Sequence, residues 1–137
     1  MIKKILCATD GSTQSETAVQ LAGEMAAKFG AELAVCTVNV AHGGARGPLI
    51  YSLDDAQVKA ILDRSAAQAK KAGAKNVGEV ALRSREAAAG IVQYAEENGF
   101  DHIVTGTGDK RGVSPLMLGS VAADVASRAH CPVTVVR

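Results

Sequence analysis

Five short apolar runs alternate with four longer segments of helical periodicity, and this alternation constrains the fold more than any other feature of the chain. The apolar runs fall at 2–8, 31–40, 76–82, 100–105 and 133–136. Strands that are joined by crossover helices must pair in parallel, with right-handed connections. Near-continuous apolar strands are typical of a sheet that is covered on both faces. The sequence therefore predicts an α/β fold with a parallel sheet of five strands and four helices.

The longest break in the alternation, AHGGARGPLIYS at 41–52, follows the second predicted strand. Its glycines and Pro48 argue against regular structure, so we expect a loop there. A loop of this length in a compact domain is usually functional or mobile. Ser52 together with Asp55 is expected to cap the helix that follows.

Composition excludes several classes of function. The 137 residues fit one domain, and a hydrophobic content of 47% is enough for a packed core. Aromatic residues make up 3% and the net charge is +1, which argues against partners such as nucleic acid or an anionic membrane. We see neither a signal peptide nor a run that could span a membrane, and the three cysteines are isolated, without metal-ligand spacing. We expect residues 1–137 to form one cytoplasmic domain.

One candidate binding loop, Ala8-Thr9-Asp10-Gly11-Ser12, follows the first predicted strand. Open parallel sheets bind ligands beyond the carboxyl ends of their strands, and this loop stands at such an end. The Asp10 carboxylate can accept hydrogen bonds from sugar hydroxyl groups. Asp10 and Ser12 are also residues that shape a turn and cap a helix, so both roles remain open.

A second candidate loop runs from Gly106-Thr107 to Gly119-Ser120, where the fourth predicted helix begins. Glycines let a phosphate approach the backbone, whose N–H groups can form an anion-binding nest. The free N–H groups and the dipole at the start of the helix favour phosphate, and the Ser120 hydroxyl adds a donor. The loop contains neither a Walker A motif nor a complete GxGxxG pattern.

Four stretches of the sequence carry a resemblance to a known family: ATDGS at 8–12, CTVNV at 36–40, FDHIVTGT at 100–107 and LGSVAADVASRAHCPVTVVR at 118–137. With them the chain resembles the universal stress proteins of bacteria and archaea from Ile2 to Arg137. The resemblance implies a Rossmann-like open parallel five-stranded sheet in the order 3-2-1-4-5, with helices on both faces. It also implies a stress-response role and homodimers, in a family that has ATP-binding and non-binding members.

The resemblance further implies a site for ATP, with or without Mg²⁺, between the 8–12 and 106–120 loops. In that site Asp10 would bind the ribose, and backbone atoms around Ala8, Thr9 and Val38 would line the adenine pocket. The residues implied around the phosphates are Gly106, Thr107, Asp109, Gly119, Ser120 and Val121.

The chain departs from the family's nucleotide motif at one position. That motif is a Gly, two residues, a second Gly, nine residues, and a Gly followed by Ser or Thr. Gly106 and Gly119-Ser120 match its ends, but Asp109 replaces the second Gly. A side chain there crowds the phosphates and a carboxylate repels them, although Asp tolerates left-handed backbone angles better than most residues. ATP binding and an adaptor role without nucleotide therefore both remain open.

A third possible function, an enzyme related to ATP pyrophosphatases or nucleotidyltransferases, has the least support. The first loop lacks a Ser-Gly-Gly-x-Asp-Ser pattern, and the three histidines, His42, His102 and His130, have no evident partner for a nucleophile–base pair. We expect no catalytic residues and at most very slow ATP hydrolysis.

The last predicted strand, 133–136, lies at the edge of a sheet with the order 3-2-1-4-5. Edge strands expose unpaired N–H and C=O groups, which proteins normally pair or protect. We therefore expect a homodimer that forms through 133–136. The alternative is a monomer in which the 41–51 loop covers this edge.

We expect Asp109→Gly to tighten ATP binding, because it restores the motif and removes a negative charge near the phosphates. Relief of about 1 kcal/mol of repulsion in a partly dry cleft corresponds to a Kd that is about fivefold lower. Isothermal titration calorimetry of both proteins with ATP measures the difference. Unchanged or weaker affinity would show that Asp109 does not oppose the phosphates.

Overall fold

The computed structural model describes residues 1–107 and 118–137. The strands are β1 (Lys4–Ala8), β2 (Glu32–Gly43), β3 (Leu49–Tyr51), β4 (Val77–Ser84), β5 (His102–Gly106) and β6 (Val133–Val136). The helices are α1 (Thr13–Phe29), α2 (Asp55–Lys71), α3 (Ala87–Glu97) and α4 (Ser120–Arg128). Five strands pair in parallel in the order β4-β2-β1-β5-β6, which confirms the predicted Rossmann-like arrangement.

The expectation that 41–51 lacks regular structure is wrong. β2 continues to Gly43, and β3 folds back antiparallel against it, with Gly43 opposite Leu49. Gly43 and Gly44 have φ angles of 79° and 93°, so these glycines form a turn between two strands. The hairpin adds a short sixth strand to the sheet. Because it pairs with β2, it does not cover β6, and the alternative of an edge covered by 41–51 is also wrong.

Alternate side chains of the central strands enter two separate cores, as the period of two in a β-strand requires. Ile5 and Cys7 face α1 and α2, whereas Leu6 and Ala8 face α3 and α4. The four helices therefore cover both faces of the sheet, as predicted. In the described part of the chain, no helix has the length and apolar character needed to cross a membrane.

The second helix begins differently from the prediction. Asp54, and not Ser52 with Asp55, is its cap: the Asp54 carboxylate accepts the Gln57 N–H at 2.8 Å, and the Gln57 side chain accepts the Asp54 N–H at 2.9 Å. Ser52 instead donates its N–H to the Val40 carbonyl at 3.0 Å and continues the hairpin ladder. This reciprocal capping box places the start of α2 directly after the hairpin.

Gly23 marks a close approach of α1 to α2, where a Cβ atom would lie 2.6 Å from the Ala69 carbonyl oxygen and 2.9 Å from the Ala72 Cβ. We expect Gly23→Ala to destabilise the fold by about 1–3 kcal/mol through overpacking. This loss should outweigh the gain in helix propensity of about 1 kcal/mol. Thermal unfolding followed by circular dichroism measures it, with Gln20→Ala at an exposed position of α1 as the control. A melting temperature that is unchanged or higher in Gly23→Ala would contradict the close packing.

Candidate functional site

A cavity of about 330 Å³ opens at the carboxyl ends of β1, β2 and β5, with α3 and the start of α4 along its other side. Both predicted loops reach this cavity. The predicted residues that line it are Ala8, Thr9, Asp10, Val38, Gly106, Gly119, Ser120 and Val121. The fold therefore brings together two segments that are separated by about a hundred residues of sequence.

Two other predicted residues are not part of the described lining. Thr107 is buried; its N–H donates to the Val136 carbonyl at 3.1 Å, and its carbonyl accepts the Gly119 N–H at 2.8 Å. These bonds tie the approach to α4 to the edge of the sheet, so Thr107 positions the lining and does not contribute to it. Asp109 lies outside the described residues.

The Asp10 side chain shapes the turn that follows β1. Its Oδ1 atom accepts the Ser12 N–H at 2.9 Å, and Gly11 between them has a φ of 81°. Ser12 then caps α1 by accepting the Ser15 N–H at 3.3 Å. The turn-shaping role of Asp10 is therefore real. Because Asp10 is also exposed at the cavity, the same carboxylate is placed where a ligand would meet it.

A chain of buried hydroxyl groups supports this turn from below. Thr9 Oγ1 accepts the Gly11 N–H at 3.2 Å and lies 2.9 Å from Ser15 Oγ, which donates to the Ser12 carbonyl at 2.8 Å. From α2, Ser65 Oγ donates to Thr9 Oγ1 at 3.4 Å. Buried polar groups of this kind are costly unless paired, and here they pair with one another. The turn is consequently held from the loop itself, from α1 and from α2.

Val38 lies in a gap between two hydrogen-bond ladders. The Cys36 carbonyl accepts the Thr9 N–H at 2.8 Å as β1 ends, and the Val40 carbonyl accepts the Ser52 N–H as the β3 hairpin begins. Since alternate residues of a strand direct their N–H and C=O groups to the same side, those of Val38 point into the space between these two bonds. β1 last pairs with β2 at Cys36, and β3 first pairs at Ala41. The cavity therefore receives one main-chain donor and one acceptor from Val38.

The start of α4 forms the opposite side of the cavity. Gly119 is its N-cap residue, with an extended backbone and no hydrogen bond from a capping side chain. The Ala123 N–H donates to the Gly119 carbonyl at 3.0 Å as the first bond of the helix. The N–H groups of the first turn, at 120–122, precede that bond and have no acceptor within the helix. These three residues line the cavity, so the positive end of the helix dipole faces it.

Other lining residues were missed by the sequence analysis as site residues. They are Ser15, Cys36, Thr37, Ala87, Ile91, Thr105 and Ala122, while Ser12 belongs to the predicted 8–12 loop. Ala87 and Ile91 come from α3, whose apolar periodicity places them on the inward face and would have been the signal to use. Burial raises the pKa of Cys36 to about 12, so this thiol stays protonated. Among the described lining residues, Asp10 is the one acidic residue, and none is Lys, Arg or His.

None of the three histidines lines the cavity. His42 bonds Ser52 Oγ at 2.9 Å, His102 bonds Thr134 Oγ1 at 2.7 Å, and His130 bonds the Phe100 carbonyl at 3.1 Å. Burial lowers the pKa of His102, so its imidazole is neutral at physiological pH. In residues 1–107 and 118–137 no group of three or more His, Cys, Asp or Glu side chains could hold a metal ion.

Comparisons with known proteins agree on one family over the full chain. The model of the Universal stress protein family matches residues 1–137. A universal stress protein of Methanocaldococcus jannaschii is 36% identical over 145 aligned residues, which cover 100% of this chain and 83% of the relative. A universal stress protein solved in complex with cAMP has a TM-score of 0.78 at 28% identity, covering 98% of this chain and 97% of the other. One from Archaeoglobus fulgidus in complex with dAMP has a TM-score of 0.72 at 25% identity, covering 100% and 98%.

Proposed function

This chain belongs to the universal stress protein family, and we propose that it is a stress-response regulatory protein that binds an adenine nucleotide, ATP above all, in the cavity between the 8–12 loop and the start of α4. The main observation behind the proposal is that the first turn of α4 lies across this cavity from the Val38 N–H and C=O groups, which have no strand partner on that side. Solved relatives in complex with cAMP and dAMP support adenine as the base.

The Val38 main chain supports recognition of adenine. Its N–H group suits the N1 acceptor of the base, and its carbonyl suits the N6 amino donor. Guanine presents these two functions in the reverse order, with an acceptor at O6 and a donor at N1. A fixed donor–acceptor pair would then be left unpaired by guanine, and unpaired buried polar groups are costly.

The 8–12 turn supports binding of the ribose. One carboxylate oxygen of Asp10 holds the Ser12 N–H, while ionised carboxylates have several further acceptor positions. Hydroxyl groups of a sugar are donors that match those positions. The bond that shapes the turn also orients the carboxylate towards the ligand. In this proposal Asp10 therefore has both roles, shaping the turn and binding the sugar.

The start of α4 supports binding of the phosphates. The free N–H groups at 120–122 and the helix dipole together form a site that favours an anion. The Ser120 hydroxyl is not used as a helix cap, so it remains suited to donate to a phosphate oxygen. With neither a histidine nor a metal cluster at the described lining, we expect at most very slow ATP hydrolysis.

The same proposal includes a homodimer that forms through β6. β6 pairs with β5 on one side, and no other described strand pairs with it. Pro132 and Val136 direct their carbonyls to Ile103 and Thr107 of the β5 segment, so the alternate residue Val135 directs its N–H away from the sheet. A second copy related by a two-fold axis could pair with this outward edge in an antiparallel ladder.

We expect calorimetric titration with ATP and Mg²⁺ to show binding, and GTP to bind at least about tenfold more weakly, because it leaves the Val38 donor and acceptor unpaired. Thermal shift assays with the same nucleotides provide an independent measurement. ATP at about 1 mM would reveal even weak binding. If it gives neither heat nor a thermal shift, the proposal fails and the nucleotide-free adaptor function takes its place. Equal affinity for ATP and GTP would refute only the proposed role of Val38 in recognising adenine.

We expect Ser120→Ala to raise the Kd for ATP about tenfold to a hundredfold, since it removes one hydrogen bond to a charged phosphate. Its melting temperature without ligand should stay close to that of the wild type. Ser127→Ala, in the same helix, is the control, because Ser127 Oγ donates to the Ala123 carbonyl on the exposed side. An equal loss of melting temperature with and without ATP would instead indicate that Ser120 supports the helix.

We expect Val135→Pro to lower the mass of the assembly by abolishing pairing through β6, because it removes a donor from the outward edge of β6 and leaves the bonds to β5 in place. Light scattering coupled to size-exclusion chromatography measures the mass of both proteins. Thr134→Ser, which keeps the hydroxyl that bonds His102 and alters no main-chain donor, is the control and should keep the mass of the wild type. A wild-type protein that is monomeric at tens of micromolar would contradict pairing through β6.

A further inference from the structure

The other edge of the sheet, β4, is long and has no described partner on its outer side. Its ladder with β2 is continuous over all eight residues, so no bulge twists it away. It contains neither proline nor lysine, the usual protections of an edge strand. α2 and α3 pack on its two faces and leave the edge itself open. A strand with these properties offers a template for pairing with another strand.

The hydrogen-bond pattern identifies which residues of β4 face outward. Glu32 and Cys36 of β2 bond to the β1 side, so the odd-numbered residues of β2 bond to β4. In the parallel register Val35 is opposite Glu79 and Thr37 is opposite Ala81. In a parallel pair, a residue bonds to the two residues that flank the one opposite it. The odd-numbered residues of β2 therefore bond to even-numbered residues of β4. The odd-numbered residues, Glu79, Ala81 and Arg83 among them, direct their N–H and C=O groups outward.

The sequence of β4, VGEVALRS, is complementary to itself when it is reversed about Ala81. Glu79 then comes opposite Arg83, Val80 opposite Leu82, and Gly78 opposite Ser84. The outward-facing residues meet one another in this register, as an antiparallel ladder requires. A register centred on Val80 would also satisfy the ladder, but it would place Glu79 opposite Ala81 and Arg83 opposite Val77. Opposite charges across a strand pair favour the first register.

We propose that β4 pairs antiparallel with β4 of a second copy of this chain, about a two-fold axis at Ala81, with Glu79 of each copy opposite Arg83 of the other. This interface is separate from the nucleotide cavity and from β6, which lies at the opposite end of the sheet. A two-fold axis makes the interface isologous, so each charge pair occurs twice.

The surroundings of Glu79 provide a second reason for a cation from another copy. Partial desolvation and a hydrogen bond with the neighbouring Asp63 carboxyl raise the pKa of Glu79, although the residue is exposed, so two acidic groups crowd the α2 face of this edge. Lys59 bonds Asp63, with its Nζ atom 3.2 Å from Oδ2. An arginine that arrives opposite Glu79 would relieve the remaining repulsion between the two carboxyl groups.

The present contacts of Arg83 are weak enough to be exchanged for such a contact. Its guanidinium group lies 4.6 Å from the centre of the Tyr51 ring, and its side chain is 59% exposed. Its ion pair with Asp55 is long, 3.5 Å, with an acid that is 95% exposed, so this pair costs little to give up. Tyr51 belongs to β3, which lies on the far side of β2 from the outer edge of β4. The guanidinium must therefore leave this ring and turn outward, on the α2 face that it shares with Glu79, to meet a second copy.

The direct test uses the symmetry of the axis. In the proposed dimer, Ala81→Cys in a Cys131→Ser background places the thiol at position 81 opposite the same thiol of the second copy. Opposite residues of an antiparallel ladder have Cα atoms about 4.5–5.5 Å apart. This distance is within the range of a disulfide. Cys7 and Cys36 are buried and do not compete. We expect mild oxidation to give a disulfide-linked dimer on a non-reducing gel. Gln93→Cys in the same background, on the exposed side of α3, is the control and should remain largely monomeric.

Charge exchange tests the register. In the Ala81→Cys, Cys131→Ser background, Glu79→Arg or Arg83→Glu alone places like charges opposite each other twice and should slow cross-linking about tenfold. The double exchange, Glu79→Arg with Arg83→Glu, restores opposite charges and should restore the rate. Glu79, Ala81 and Arg83 are exposed, and circular dichroism tests whether each variant folds.

Two results would overturn the proposal. If the Ala81→Cys variant cross-links no faster than the Gln93→Cys control, β4 does not pair with β4 of a second copy. Failure of the double exchange to restore the rate, while the single variants lose it, would show that Glu79 and Arg83 do not face each other. Because the readout is a covalent bond at Ala81, pairing through β6 cannot produce a false positive.

Discussion

The candidate site depends on the point where β1 leaves the sheet. The Thr9 N–H makes the last bond to β2, at the Cys36 carbonyl, and the chain then turns towards α1. On its β1 side, β2 then has no strand partner until the β3 hairpin returns at Val40. A gap between two strands of unequal length thus exposes main-chain groups that would otherwise be paired in the sheet. The cavity, its main-chain donor and acceptor, and the placement of Asp10 all follow from this difference in length.

The turn at the end of β1 is rigid before any ligand arrives. Arg64 of α2 donates to the Gly11 carbonyl at 2.9 Å, and Ser65 reaches the Thr9 hydroxyl from one residue further along. A Cβ at Gly11 would lie 3.0 Å from Ile61 Cγ1, so α2 also packs directly against the turn. A site that is held in this way loses little conformational entropy when it binds. The second helix therefore contributes to the site without lining it.

The alternation of strands and helices was sufficient to predict the parallel order of five strands, because right-handed crossovers leave few other arrangements. The β3 hairpin could not be predicted in the same way. Its glycines looked like breakers, yet Gly43 and Gly44 form its turn, and buried Asn39 secures it by exchanging two hydrogen bonds with Leu53. Such a contact between distant residues leaves no periodic signal. The α3 side chains that close the cavity do have a periodic signal, but periodicity shows only that they face the sheet and not that they line a cavity.

The described lining contains one carboxylate and no cationic side chain, so the described part of the proposed phosphate site consists of neutral donors and a helix dipole. Asp109, in place of the motif glycine, adds a negative charge to the segment that is proposed to hold the phosphates, and Lys110 and Arg111 follow it in the sequence. The carboxylate opposes the binding of an anion there. The main-chain groups of Val38 are remote from that conflict, since they meet the base and not the phosphates. Selectivity for the base and affinity for the phosphate chain should thus vary independently in this protein, and a nucleotide with fewer phosphates would avoid part of the repulsion while keeping the contacts to adenine.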